Sequence, residues 1–244
     1  MRVAALADIH GNLPALEAVL AEVARESVDL IVVCGDVASG PMPVETLEVL
    51  RALPDARFVS GNADRSLVTV FDTGTRPSWP GPAADWCTAQ LSRADRDFLA
   101  SFSSTVPVDV DGLGSVLFCH GSPRSDEEMM TSQTSDERVR GFIAGLHADM
   151  VVCGHTHMPF DRVVDGVRIV NPGSVGMPYG ESGAFWALLG PGVDFRRTDF
   201  DREAAAARIR QSTWPGADEF ARENVLSVAT AEEAFAFFRA HGGP

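Results

Sequence analysis

Six short patches in this chain each follow an apolar run, and each carries a cation-binding group or a sharp-turn residue. They are Asp8-Ile9-His10, Gly35-Asp36, Gly61-Asn62, His120-Gly121, Gly154-His155-Thr156-His157 and Asn171-Pro172-Gly173-Ser174. A fold that ends its strands at one edge lets such scattered side chains converge. Any one patch is ambiguous. An Asp at a strand exit is commonly a helix N-cap or turn residue, and an Asn after Gly a turn residue. A lone His is commonly a hydrogen-bonded core residue. But His10, His120, His155 and His157 all sit at predicted strand exits. That joint placement carries the reading. His147, near a helix end, and His241, in the C-terminal tail, do read as such hydrogen-bonded core residues.

The runs between the patches set the architecture. Residues 3–7, 30–34 and 57–60 read as strands. Residues 13–25 read as a helix, with Pro14 near its start and Leu16, Val19, Leu20 and Val23 on one stripe; 43–53 read as a second, closed by Pro54. This order predicts parallel pairing through right-handed crossovers. Residues 72–83, rich in Gly and Pro, read as a surface loop. Helices are predicted over 83–91 and 93–102, the second with Ser92 as N-cap. Hairpins are predicted around Asp111-Gly112, Asp165-Gly166 and Gly190-Pro191-Gly192. Residues 135–146 read as a helix and 150–153 as a strand.

The first third thus looks parallel and the second half mainly antiparallel. Two sheets packed face to face, with helices outside, accommodate both. Helices are expected over 203–210, 217–224 and 231–240. With no long linker, one domain over 1–244 is expected, with a helical C-terminal appendage from about residue 202.

A chain of 244 residues buries about 70–75% of its unfolded surface and needs no disulfide staples. The formal net charge of −14 argues against general nucleic-acid binding. Every basic residue is Arg. The lack of Lys excludes a Walker P-loop and Schiff-base or pyridoxal chemistry. Cys34, Cys87, Cys119 and Cys153 show no C-x-x-C pairing and are expected to be buried free thiols, three of them close to the candidate ligands. The N-terminus has no secretory h-region, and no apolar run reaches the roughly 18 residues of a membrane span. A soluble, cytoplasmic protein without membrane partners is expected.

Asp8 and His10 are two residues apart, as are His155 and His157. In extended chain such residues point the same way, which predicts side-by-side ligands. Asp, Asn and His together suit Mn, Fe, Zn or Ni better than Ca or Mg. Two ions need a bridge, and Asp36 or Asp8 can supply one.

The order D-x-H, G-D, G-N-x-D, H-G, G-H-x-H resembles that of the calcineurin-like metallophosphoesterases, and most of all their small bacterial and archaeal phosphodiesterase branch. The motifs run from Asp8 to His157, with Asn171 to Ser174 trailing; the tail after Arg202 lies outside them. The resemblance implies an α/β fold, a four-layer α-β-β-α sandwich of two mixed sheets with helices on both outer faces. It implies two divalent transition-metal ions, with Mn favoured. Asp8, His10, Asp36 and His157 would hold the first. Asp36, Asn62, His120 and His155 would hold the second, with Asp36 bridging. It further implies hydrolysis of a phosphodiester by attack of a metal-bridging hydroxide, with Asp36, Asn62 and His120 at the reacting centre. A nucleotide or dinucleotide polyphosphate hydrolase, or a protein phosphatase, would use the same metals and differ at the rim. A scaffold without catalysis should show damaged ligands, and all seven are present.

One position departs from the pattern. Many family members carry a His after the Asn, where it protonates the leaving group. This chain has Ala63 there, which favours substrates with good leaving groups. Asp64 is expected to orient a histidine behind the ligands. Arg65 and Arg124 could hold phosphate or be solvated surface residues. Asn12 could contact substrate or serve as a turn residue. The expected partner is a small phosphoester.

Overall fold

The computed structural model describes residues 1–75 and 82–241. Its first sheet is built on β1 (Val3–Leu6), β2 (Leu30–Val33) and β3 (Ala56–Phe58), paired in parallel through α1 (Leu13–Val23) and α2 (Pro43–Arg51). β1 and β2 are buried throughout. Ala4 and Leu6 pack against the helices, while Val3 and Ala5 pack against the second sheet. A strand covered on both faces has no polar side to show, which is why these runs do not alternate.

The second sheet is ordered β4 (Val106–Val110), β5 (Gly114–Phe118), β6 (Met150–Val152), β8 (Val167–Asn171), β7 (Phe160–Val164). Its hairpins are antiparallel, as the Asp-Gly signals predict. At the β7–β8 turn Asp165 and Gly166 both have positive φ, 49° and 86°, the conformation that a two-residue hairpin loop requires. But β5–β6 and β6–β8 are parallel. The centre of this sheet is therefore less antiparallel than the expectation for the second half, because α6 (Asp136–Ile143) carries a crossover from β5 to β6. The chain then returns to the first sheet as β9 (Ala184–Leu189), antiparallel to β1, and β10 (Val193–Thr198).

Three clusters define the layers. One lies between the first sheet and its helices, one between the sheets, and one between the second sheet and α6, where Val151 and Ile169 meet Val139 and Phe142. This is the four-layer α-β-β-α sandwich. All six patches leave the C-terminal ends of strands that pair in parallel: β1, β2 and β3 in one sheet, and β5, β6 and β8 in the other.

One helix goes unassigned by sequence periodicity. α3 (Asn62–Thr73) starts at the Asn62 patch and takes in the first residues of the expected 72–83 loop. Gly74, with φ 67°, closes it. Residues 76–81 of that loop lie outside the described residues. α4 (Pro82–Gln90) and α5 (Arg93–Ala100) follow, with Ser92 capping α5 as expected. After β10 come α7 (Arg202–Arg210), α8 (Ala217–Phe220), continued by a π-helical turn (Ala221–Leu226), and α9 (Ala231–Ala240). α7 and α8 share a small core of Ala206, Ile209, Phe220 and Val225, against which Met177 and Trp214 pack. No helix among the described residues is long and apolar enough to cross a membrane.

Candidate metal centre

The ligand loops are not extended. Among the described residues, seven non-glycine residues have positive φ, and five of them are Asp8 (55°), His10 (48°), Asp36 (54°), His155 (68°) and His157 (57°). The spacing argument from extended chain therefore does not hold; each of these side chains is aimed by its own left-handed backbone. Asp, Asn and His enter this region more readily than most residues, at a cost of about 1–3 kcal/mol each. Bonds between loops hold them there. The Asp8 N–H donates to Gly35 O at 3.1 Å, the His10 N–H to Asp36 O at 2.9 Å, and the His155 N–H to Asp8 Oδ2 at 3.0 Å. Gly61 is required by contact, because a Cβ there would lie 2.1 Å from Asp36 Oδ1.

Two triads result, Asp8–His10–His157 and Asp36–His120–His155, each with ligand atoms within 4.8 Å of one another. Asp36 joins them. Its Oδ2 lies 3.7 Å from His10 Nε2 and 3.4 Å from His120 Nε2. Its Oδ1 accepts the Ala63 N–H at 2.8 Å. Asn62 Oδ1 is 3.0 Å from His120 Nε2, and His157 Nε2 is 3.5 Å from Asp8 Oδ1.

Do these residues fit a cation? Nδ1 of His10, His120 and His157 faces the carbonyl oxygens of Ser39, Cys34 and Met177 at 3.2, 2.7 and 2.7 Å. A carbonyl can only accept, so each Nδ1 carries hydrogen and each Nε2 points inward, the orientation that backbone carbonyls impose on metal-binding imidazoles. His10 Nε2 and His157 Nε2 then face each other at 3.2 Å. Burial lowers both pKa values, so two bare lone pairs oppose one another. His155 Nε2 is buried without a hydrogen-bond partner, and burial, reinforced by His120, brings its pKa down to about 4. Three neutral imidazoles with inward lone pairs beside two buried carboxylates suit a dication.

The other groups agree. Burial pushes the Asp8 carboxyl well up, against the pull of His120. Despite its own burial, Asp36 is held well below the usual carboxylate range by His120. Burial opposes the charge on His120, but Asp36 outweighs it and raises the pKa to about 10. Without a metal, then, one proton on His120 supplies positive charge that the cluster requires.

A family model described as the calcineurin-like phosphoesterase superfamily domain matches residues 1–190. The chain belongs to that superfamily. A metallophosphoesterase from Sphaerobacter thermophilus has a similar structure, with TM-score 0.76 and 26% identity over 93% of this chain and 98% of that one. A hypothetical protein from Pyrococcus horikoshii OT3 shares the fold, with TM-score 0.78 and 21% identity over 91% of this chain and 96% of that one. An uncharacterized protein of Methanocaldococcus jannaschii is 25% identical over 236 residues, covering 87% of this chain and 93% of its own. Coverage of 93% leaves out fewer residues than follow residue 190, so part of the C-terminal segment lies within the structural match. The family is metal-dependent and acts on phosphoesters.

The structure thus brings together all seven residues read as metal ligands in this superfamily member: Asp8, His10, Asp36, Asn62, His120, His155 and His157. It places the others differently. Asn12 is buried, and its side chain accepts the Ala15 N–H at 3.3 Å and donates to Gly176 O at 2.9 Å. It caps α1 and pins a neighbouring loop. Arg65 pairs with Asp126 and Glu127, each at 2.7 Å, and Arg124 with Glu128 at 2.6 Å. Both line a cavity of about 440 Å³ that meets the ligand set through His120. Asp64 orients no histidine. Its carboxylate accepts the N–H groups of Asp36, Val37 and Gly61 at 2.8, 2.9 and 3.0 Å, bracing the Asp36 loop from α3. The Asn171 patch is likewise a brace. Asn171 Nδ2 donates to Gly154 O at 2.7 Å, and the Ser174 hydroxyl to Asp8 O at 2.7 Å. The cysteines are buried free thiols, and among the described residues neither triad includes one. His147 and His241 are not core residues: both are exposed, His241 at the end of α9 with its Nδ1 2.8 Å from Phe237 O.

Sequence reasoning misses two features. Tyr179 stacks on His157 at 5.2 Å; the single tyrosine of the chain gave no motif to find it by. The larger cavity, about 530 Å³, has His10, Asp36, Asn62 and Ala63 at one end and residues of the C-terminal segment at the other. The expected appendage is in fact a wall of the site.

Proposed function

We propose that this chain is a two-metal phosphodiesterase. The observation that carries the reading is Asp36 Oδ2, one carboxylate oxygen between His10 of one triad and His120 of the other. Asp8, His10 and His157 would hold one ion, and Asn62, His120 and His155 the other, with Asp36 shared. Bound there, two divalent transition-metal ions, with manganese the first to try, supply the Lewis acidity that activates water at neutral pH and offsets phosphate charge. The chain's part is to hold the ligands ready. Carbonyls fix the imidazoles, the Ala63 N–H fixes Asp36, and Asp64 fixes the loop beneath it.

The preference for diesters has two supports. Ala63 offers no proton to a leaving group, so a stable leaving anion is favoured. And among the described residues that line the larger cavity there is no arginine, so a dianionic monoester finds no guanidinium clamp there, while a diester has less charge to neutralise. The test is a screen of purified, manganese-loaded protein against phosphodiesters, phosphomonoesters and cyclic nucleotides that share leaving groups. Higher kcat/KM on diesters is expected; a clear monoester preference overturns the assignment.

A further inference from the structure

The larger cavity is of a size that suits an organic ligand, and inorganic phosphate fills only a small part of it. Its far wall is Trp214, Glu219, Phe220, Glu223 and Asn224. Four of these come from α8 and the π-helical turn that continues it. At positions i, i+1, i+4 and i+5 they share one helix face, and such turns recur at functional sites. Phe220 is anchored in the C-terminal core, and Trp214 meets it edge to face at 5.5 Å. Glu223 pairs with Arg222 at 2.8 Å; among the described residues Glu219 has no ion pair. Arg222 lies close enough to feel Glu219 as well, yet two carboxylates against one guanidinium leave the wall negative. Aromatic faces beside carboxylates attract organic cations.

We propose that this wall is the subsite for the second, organic arm of a phosphodiester, and that it takes an arm with an apolar body and a cationic end, such as an alcohol bearing a quaternary ammonium group. An arm ending in a further phosphate or carboxylate is rejected. The proposal rests on the phosphodiesterase reading for its chemistry and on the wall alone for its selectivity.

The test uses metal-loaded protein and p-nitrophenyl diesters with a common leaving group. One has a choline arm, one the same arm with carbon in place of nitrogen, and one an arm of similar length ending in carboxylate. KM is expected to be lowest for choline, about five- to tenfold below the carbon isostere, and highest for the carboxylate. The double variant Glu219→Gln, Glu223→Gln should erase the gap between choline and isostere, with metal content and the isostere's KM unchanged. Trp214→Ala should raise KM for both, and Trp214→Phe, which keeps a ring against Phe220, should restore most of it. Equal KM for the choline and carboxylate arms, or a gap that survives the double variant, overturns the proposal. Should metal-loaded protein cleave none of the three, the phosphodiesterase reading falls. Calorimetry with free choline and its carbon isostere then judges the wall alone: preference for choline supports it, and equal binding overturns it.

Discussion

The two ends of the larger cavity are built in opposite ways. At the ligand end Asp8, Asp36 and His120 are almost fully buried, the backbone is left-handed at five ligands, and each loop is bonded to its neighbours. At the far end Glu219 and Glu223 are exposed, on a short helix held by a separate core. Any change at the first end disturbs several loops at once. A change at the second alters one wall and leaves the ligands in place. A fold built this way can change its substrate without disturbing its chemistry, and variants at each end can break or sharpen that contrast.

The largest effect is expected from Asp36→Asn. The amide oxygen can still accept the Ala63 N–H, so the loop survives. The NH₂ group takes the place of Oδ2 and offers hydrogen where an anion stood. Loss of at least one metal ion, and of more than about a hundredfold in activity, is expected, beyond what removal of an outer hydrogen bond costs. Elemental analysis with a circular-dichroism melt checks it; full metal occupancy and normal rates would sink the shared-ligand reading.

Asp64→Asn comes next. One amide oxygen cannot accept three N–H bonds, so a buried donor is left facing an NH₂ group. The expected cost is about 1–3 kcal/mol of stability and about 10–100-fold in metal affinity, read by denaturant titration and by metal competition. If Asp64 were only a helix cap, stability would fall and metal affinity would not.

How much of this was legible in the sequence differs between the two ends for a physical reason. A ligand at a strand exit leaves a local mark, a polar residue and often a glycine after an apolar run, and that mark gave Asp8, Asp36, Asn62 and the histidines. Buried strands and Asp-Gly turns gave the two sheets for the same reason. The aim of each ligand was not local: Asp8 and His10 owe their left-handed backbone to bonds with the loop after β2. α3 was hidden because Asn62 and Asp64 look like turn residues. Arg65 looked free until Asp126, distant in sequence, proved to be its partner. The far wall left no mark, since nothing in the periodicity of 217–226 says which face will look onto the ligands.

The pH dependence separates the metal-loaded from the metal-free protein. His10, His155 and His157 have lowered pKa values in the fold. Below about pH 6.5, the ordinary histidine value, the unfolded chain takes up protons that the folded one refuses, so these groups cost stability as pH falls toward 4. Asp8, raised well above its ordinary value, and Asp64, raised to about 7 by burial and Asp36, act oppositely in the same window, because the fold retains their protons longer. His120, raised to about 10, contributes stability that is fully present below 6.5 and lost progressively as pH rises from there to 10. The metal-free protein should therefore show a shallow dependence of Tm on pH between 7 and 5. With metal bound, Asp8 and His120 must give up the protons they hold in the metal-free fold, so Tm should fall steeply with falling pH, with about tenfold weaker metal binding per displaced proton per pH unit. Parallel Tm curves would refute the assignment of Asp8 and His120 as ligands.

The smallest effect, and the one that bears on both ends at once, is expected from Ala63→His. Ala63 is nearly buried and lines the larger cavity beside Asn62, so an imidazole there enters the space between ligands and wall. Its backbone N–H still reaches Asp36, and metal content should hold. General acid catalysis is typically worth about 10²–10⁴-fold in an evolved site, but a grafted histidine has no partner to orient it, and only a few-fold of that is expected. The benefit should grow with leaving-group pKa, because p-nitrophenolate leaves readily without a proton and an alkoxide does not. The measurement is the slope of log kcat/KM against leaving-group pKa. A flatter slope means that the chain lacks the acid and that its choice of good leaving groups follows from Ala63. An unchanged slope with both metals bound means that another group already delivers the proton.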